Sequence, residues 1–200
     1  MELVLKSEWL YVIDNVLTPE ECKEVIINAD SIMEKSQTLG VEIRDYRTSS
    51  NAYIGKNTEI PALKKINLIT EVLTELPLEN QEDTCIVKYK EGEEYKVHQD
   101  HLDHGNYNDE GSNKELERGG DRLYSVMFYL NDDMEEGGTL FTSPGIEIRP
   151  KTGRCVVWIL FIIDLVLIIL LCVTISLILL TPLIIIIGIP VLIDLMWKKK

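Results

Sequence analysis

Residues 88–100 read Lys-Tyr-Lys-Glu-Gly-Glu-Glu-Tyr-Lys-Val-His-Gln-Asp, and the closing His98-Gln99-Asp100 is the most informative triplet in the chain. In an extended strand successive side chains alternate, so His98 and Asp100 point to one face. An imidazole and a carboxylate on one face make two corners of the 2-His-1-carboxylate triad that holds Fe(II) and leaves positions open for a co-substrate and O2. The spacing alone is weak, because it arises often by chance. Taken alone, its default reading is a solvated pair on a loop.

Working outward, the chain divides into helical and strand-like parts. Trp9 to Val16 mixes aromatic and β-branched residues and reads as a strand. Thr18-Pro19-Glu20-Glu21 then opens a helix, with Thr18 as cap, Pro19 at the first position and two acidic residues at the positive end of the dipole. A second helix is predicted over Ile60 to Leu76, started by Pro61. From Thr84 the pattern becomes short β-type runs: Thr84–Tyr89, Tyr95–Val97, Leu123–Leu130, Thr139–Thr142, Glu147–Arg149 and Cys155–Leu160. Helices first and many short strands afterwards predict an α+β fold, a jelly roll (double-stranded β-helix) with supporting N-terminal helices. Asp103 to Gly120 is polar throughout and reads as a long exposed loop.

The neighbours of the triplet sharpen its reading. Residues 88–100 resemble the RYxxGxxYxxHxD run of the prolyl 4-hydroxylase type of 2-oxoglutarate/Fe(II) dioxygenases. Arg47-Thr48-Ser49-Ser50 resembles that family's RTSS segment, and Arg122 to Asp132 looks like its central strand. Glu135 to Phe141 is similar to the EEGGETxF turn, one residue shorter, and Ile148 to Arg154 to the RPKKG turn. The five motifs occur in the family's order between Trp9 and Leu160.

That resemblance implies roles by position. His98 and Asp100 match the first two iron ligands, and Tyr89 and Tyr129 match residues lining the 2-oxoglutarate pocket. Tyr95 faces the same cavity, and Arg47 and Ser49 lie in a loop near the peptide groove. The implied reaction converts 2-oxoglutarate and O2 to succinate while hydroxylating a peptidyl proline, with Fe(II) as cofactor and L-ascorbate maintaining it. The implied partner is a proline-containing peptide or protein. The predicted geometry places His98 and Asp100 on one side of a sheet facing a cavity, with Tyr89 and Tyr129 on its wall.

Composition separates the chain into two unlike parts. Residues 1–155 hold 31 of the 33 carboxylates and 17 of the 20 basic residues, a net charge of −14. That acidity argues against nucleic acid as a partner, since phosphate binding needs a basic face. Cys22, Cys85, Cys155 and Cys172 show no CxxC spacing and read as buried free thiols. Glu2, Lys6 and Glu8 interrupt the first segment, which therefore does not read as a signal peptide.

The chain departs from the family after Arg154. No histidine follows His104, and no basic residue occurs between Arg154 and Lys198. The family's distal histidine and its 2-oxoglutarate-binding Lys or Arg are thus unmatched, and the jelly roll reads as C-terminally incomplete. Val156 to Leu180 instead forms 25 residues with a single charge, Asp164, and Leu183 to Trp197 adds 15 more. Such runs predict transmembrane-type helices. The whole stretch would measure about 60 Å as a helix, twice a bilayer core, and Thr181-Pro182 breaks it. The expected organisation is an oxygenase-like domain over 1–155, a membrane segment over 156–197 as one span or a hairpin, and a basic end at 198–200. The folded part then faces either the cytoplasm or the endoplasmic reticulum. Three functions stay open: a membrane-tethered dioxygenase, a catalytically inactive relative that binds proline-rich peptides, and a truncated product without function.

Overall fold

The computed structural model describes residues 1–36, 46–101, 117 and 120–160, which fall in a unit spanning Met1–Leu160. The expected membrane helices from Phe161 onward, His104, Cys172 and nearly all of the polar loop lie outside the described residues. Among the described residues no helix is long and apolar enough to cross a membrane.

Among the described residues, nine strands and two α-helices belong to the unit. In chain order they are β1 Glu2–Lys6, β2 Leu10–Asp14, α1 Pro19–Asp30, β3 Glu34–Lys35, β4 Ser50–Ile54, α2 Pro61–Thr74, β5 Thr84–Lys88, β6 Tyr124–Phe128, β7 Thr139–Phe141, β8 Ile146–Ile148 and β9 Cys155–Ile159. The described strands form a four-stranded sheet in the order β1-β2-β9-β6, a three-stranded sheet β3-β4-β5 and the hairpin β7-β8.

Both helices start where local chemistry directs. The Thr18 hydroxyl accepts from the Glu21 amide while the Glu21 carboxylate accepts from the Thr18 amide, a reciprocal cap. Glu21 also receives Lys65 of α2, at 2.7 and 2.9 Å, so one carboxylate caps α1 and ties the helices together. Ile60 cannot cap α2 with its side chain, and Glu24 of α1 supplies the missing acceptor to the Ala62 amide at 3.1 Å.

The four-stranded sheet separates two apolar layers by simple alternation. Leu10 and Val12 of β2, Met127 of β6, and Val156 and Trp158 of β9 point inward, against Phe141, Ile146 and Ile148 of the hairpin. Tyr11, Ile13, Tyr124, Val126, Phe128, Cys155 and Val157 point outward, where Ile69 and Leu73 of α2 cover them. On the smaller sheet, Ala52 and Ile86 meet Cys22, Val25 and Ala29 of α1 and Leu63 and Ile66 of α2. Sheets around an apolar interior, backed by helices, match the jelly-roll-like expectation.

Several expectations change. Tyr95–Val97 is not a strand: Tyr95 forms an isolated bridge with Arg47. The chain turns too sharply just before it, at Lys90–Glu93, where Gly92 adopts a φ of +78°. Cys155–Ile159 form β9, as the strand-like run Cys155–Leu160 predicts, although the sequence also counted Val156 onward with the tail. Their alternating β-branched and aromatic side chains fill both faces of the sheet, so the folded unit extends to Leu160. Cys22 and Cys155 are buried free thiols, as expected, but Cys85 is exposed because β5 turns it away from the helices.

Candidate active site around His98 and Asp100

His98 and Asp100 meet without a strand to align them. His98 Nε2 stands 3.3 Å from Asp100 Oδ1. His98 Nδ1 lies 2.7 Å from the Lys96 carbonyl oxygen, which can only accept, so Nδ1 is the protonated nitrogen. In the neutral ring Nε2 then offers a lone pair toward a carboxylate oxygen. Two acceptors facing each other repel unless a proton or a metal cation lies between them.

The arrangement fits a divalent cation. For ligand bonds of about 2.1 Å, a 3.3 Å separation subtends roughly 100° at the metal, between octahedral and tetrahedral angles. The second nitrogen of His98 donates to a carbonyl, the usual orienting contact of metal-bound histidine. Asp100 Oδ2 is likewise occupied, accepting from the Ser125 hydroxyl at 2.7 Å, so Oδ1 is the oxygen that a cation could use. Yet among the described residues no three His, Cys, Asp or Glu side chains are grouped to hold a metal ion. His98 and Asp100 are two side chains of a type that could hold one.

A proton between the two groups relieves the same repulsion, and the electrostatics describe that case. Burial opposes the charged imidazole of His98, but the Asp100 hydrogen bond, the Lys96 carbonyl and the Asp100 charge outweigh it and raise the pKa. Burial likewise opposes the Asp100 carboxylate, and hydrogen bonds from His98 and Ser125 overcome it, so its pKa is lowered.

Tyr95 and Arg47 extend the cluster. The Tyr95 ring stacks on the His98 imidazole with centroids 3.6 Å apart and planes inclined by 14°. The Arg47 guanidinium lies over the Tyr95 ring at 4.6 Å from its centroid. Backbone pairing brings them together: Thr48 donates to the Glu94 carbonyl at 3.0 Å and Lys96 to the Tyr46 carbonyl at 3.1 Å. The hydroxyl of Tyr46 also donates to the Val97 carbonyl.

The remaining sequence-predicted residues take other places. Ser49 is wholly buried, its hydroxyl 2.9 Å from that of Ser36 and accepting from Arg47 Nε at 3.2 Å. With no exposed surface, the Ser49 side chain supports Arg47 from beneath. Tyr89 is 47% exposed, and burial of the rest of its ring raises its pKa. Tyr129 packs into the inner apolar layer, and its hydroxyl is 2.8 Å from Thr139 Oγ1 and donates to the Ile148 carbonyl at 2.9 Å. A groove of about 370 Å³ beside α2, lined by Lys56, Thr58, Asn67 and Leu78, shares no residue with this cluster.

Sequence reasoning missed Ser125, Arg122 and Glu82. Arg122 Nη1 donates to the Asp100 carbonyl at 2.9 Å, while its other nitrogens bind both Glu82 oxygens at 2.5 and 2.8 Å. The signal was available for Ser125, since period-two alternation along β6 places it on the face of Met127 and Tyr129. For Glu82 there was none, because 40 residues separate it from its partner.

Comparison with known proteins points the same way. Residues 84–160 match the model of the 2OG-Fe(II) oxygenase superfamily. The chain is 29% identical over 150 residues to a putative prolyl 4-hydroxylase of Acanthamoeba polyphaga mimivirus, an alignment covering 74% of this chain and 59% of the relative. Prolyl 4-hydroxylase 1 of Arabidopsis thaliana is 27% identical over 176 residues, covering 78% and 59%. The chain thus spans about three-fifths of the length of these relatives. In fold it resembles the viral collagen prolyl hydroxylase of Paramecium Bursaria Chlorella virus-1, solved as its 2OG complex, with a TM-score of 0.56, 24% identity and 76% and 78% coverage. The stretch 84–160 is therefore similar in sequence to the 2OG-Fe(II) oxygenase superfamily, and the unit around it shares the fold of a prolyl hydroxylase.

Proposed function

We propose that this chain performs 2-oxoglutarate- and Fe(II)-dependent dioxygenase chemistry of the prolyl 4-hydroxylase type, acting on a proline-containing peptide. The observation that carries the reading is the convergence of His98 Nε2 and Asp100 Oδ1, each with its other polar atom already engaged. When bound, Fe(II) supplies O2 activation coupled to conversion of 2-oxoglutarate to succinate, with L-ascorbate maintaining the reduced metal. His98 and Asp100 hold it. Tyr95 and Arg47 border the ligands and offer an aromatic and cationic surface to a peptide, and Tyr89 and Tyr129 belong to the co-substrate side. The hydrophobic stretch 161–197 anchors the chain to a membrane, as one span or as a hairpin.

The two-ligand site also favours a second reading, an inactive relative that binds proline-rich peptides. Succinate release from 2-oxoglutarate, with and without a proline-rich peptide, separates the two. The dioxygenase reading expects slow, peptide-stimulated turnover that His98→Ala abolishes. Peptide binding without succinate above the His98→Ala background leaves the binding module as the function.

A further inference from the structure

Asp100 is held by more contacts than a solvent-facing carboxylate in irregular chain needs. Its Oδ2 accepts from Ser125, its backbone carbonyl accepts from Arg122, and Arg122 is gripped in a two-pronged contact by Glu82. Asp100 itself lies outside the described strands. Without such contacts the carboxylate would rotate about its side-chain bonds and present either oxygen, or both, to a cation. Ser125 stands on β6, hydrogen-bonded along its length to β9, so its hydroxyl is a fixed reference point. Glu82 just precedes β5, and Arg122 just precedes β6. The contacts therefore tie one residue of irregular chain to β6 and to the segments that lead into β5 and β6.

We propose that Ser125, with the Glu82–Arg122 pair behind it, is a positioning residue that holds Asp100 as a single-oxygen ligand to a divalent cation shared with His98. The proposal rests on the dioxygenase reading of the same site. Occupying Oδ2 leaves one oxygen for the metal and keeps coordination positions free for other ligands. The planar fork of Arg122 reaches Glu82 and the Asp100 carbonyl at once, which a lysine cannot reproduce.

Titration of the full chain with Co(II) alone, followed by visible absorption, tests this without turnover. Ser125→Ala is expected to weaken Co(II) binding about tenfold or more. It should also alter the band shape as Oδ2 joins the coordination sphere, with the thermal midpoint held within about 2 °C. Ser125→Thr, which keeps the hydroxyl, is expected to restore both affinity and spectrum, and Arg122→Lys to fall between. Unchanged affinity in Ser125→Ala, while His98→Ala abolishes the absorption, overturns the positioning role and leaves the dioxygenase reading standing. A large loss of thermal stability that Ser125→Thr does not repair also overturns it, since the hydroxyl would then be structural. Absorption that survives His98→Ala, or no Co(II) absorption by the wild-type chain, overturns both.

Discussion

Gly153 passes so close to Leu17 that a Cβ at position 153 would overlap the Leu17 carbonyl oxygen. The same glycine has a φ of +76°, and its own carbonyl accepts from the amides of Val16 and Leu17. The turn before β9 is thereby locked to the segment between β2 and α1. Gly153→Ala is expected to cost at least about 3 kcal/mol, combining the left-handed backbone penalty with the displacement of a neighbouring chain. Chemical denaturation of the two proteins measures this, and a loss below about 1 kcal/mol would show that the contact relaxes freely.

A second stabilising device is the Asp14 carboxylate, 4% exposed, which Arg154 contacts at 2.6 and 3.2 Å and Lys151 at 2.6 Å. The Arg154 hydrogen bond lowers its pKa against burial, which raises it, and Lys151 adds to Arg154. A folded-state pKa below the unfolded value of about 4 means stabilisation fully present above that pH. It is lost as pH falls through the folded value. Asp14→Asn is expected to destabilise the unit by about 2–3 kcal/mol at neutral pH and to flatten the stability profile below about pH 4. Thermal melts across pH 2–7 provide the comparison, and parallel profiles would count against the assignment.

How much of this was legible depended on whether a residue's partner lay nearby in sequence. The start of α1 was readable because Thr18, Pro19 and Glu21 act within one turn. β5, β6 and β9 announced themselves through β-branched runs. β4 did not, since Ser50 and Asn51 look loop-like and take their strand geometry from β5, more than 30 residues away. Tyr95 looked like part of a strand by composition, yet among the described residues it forms just an isolated bridge, to Arg47. His98 and Asp100 do approach each other, though through hydrogen bonds to Lys96 and Ser125, not through strand alternation. A contact between distant segments, such as Ser125 to Asp100, leaves no periodic trace.

The co-substrate site yields a prediction about affinity. No lysine or arginine stands between Arg154 and Lys198, so on the proposed dioxygenase reading the far carboxylate of 2-oxoglutarate would lack the charged partner that the family resemblance leads one to expect there. A charge-assisted hydrogen bond contributes about 1.5–3 kcal/mol, so its loss corresponds to roughly 10- to 100-fold in Kd. Calorimetry of the chain with 2-oxoglutarate in the presence of Mn(II) is expected to show weak binding. Tight binding would mean that another cation, with Arg47 and Arg122 the first to substitute, receives the dicarboxylate.

The hydrophobic stretch is expected to associate with a bilayer, and its length now follows from where β9 ends. Phe161 to Leu180 is 20 residues, about 30 Å as a helix and so one bilayer core. Thr181-Pro182 interrupts it, and Leu183 to Trp197 adds 15 residues, too short for a second straight span without thinning the membrane. Continuing the sheet would require polar turns between short alternating strands, and these 37 residues are almost continuous Leu, Ile and Val. In lipid a helix satisfies its backbone groups internally, which removes that difficulty. Asp164 is the fourth residue of the first segment, so in such a helix it would lie near the interface, where a carboxylate costs far less than the roughly 2.5–3.5 kcal/mol of a central position. Alkaline carbonate extraction of cells expressing the full chain is expected to leave it in the membrane pellet, while a chain ending at Leu160 is released. Release of both would show that residues 161–197 find their apolar partner within protein.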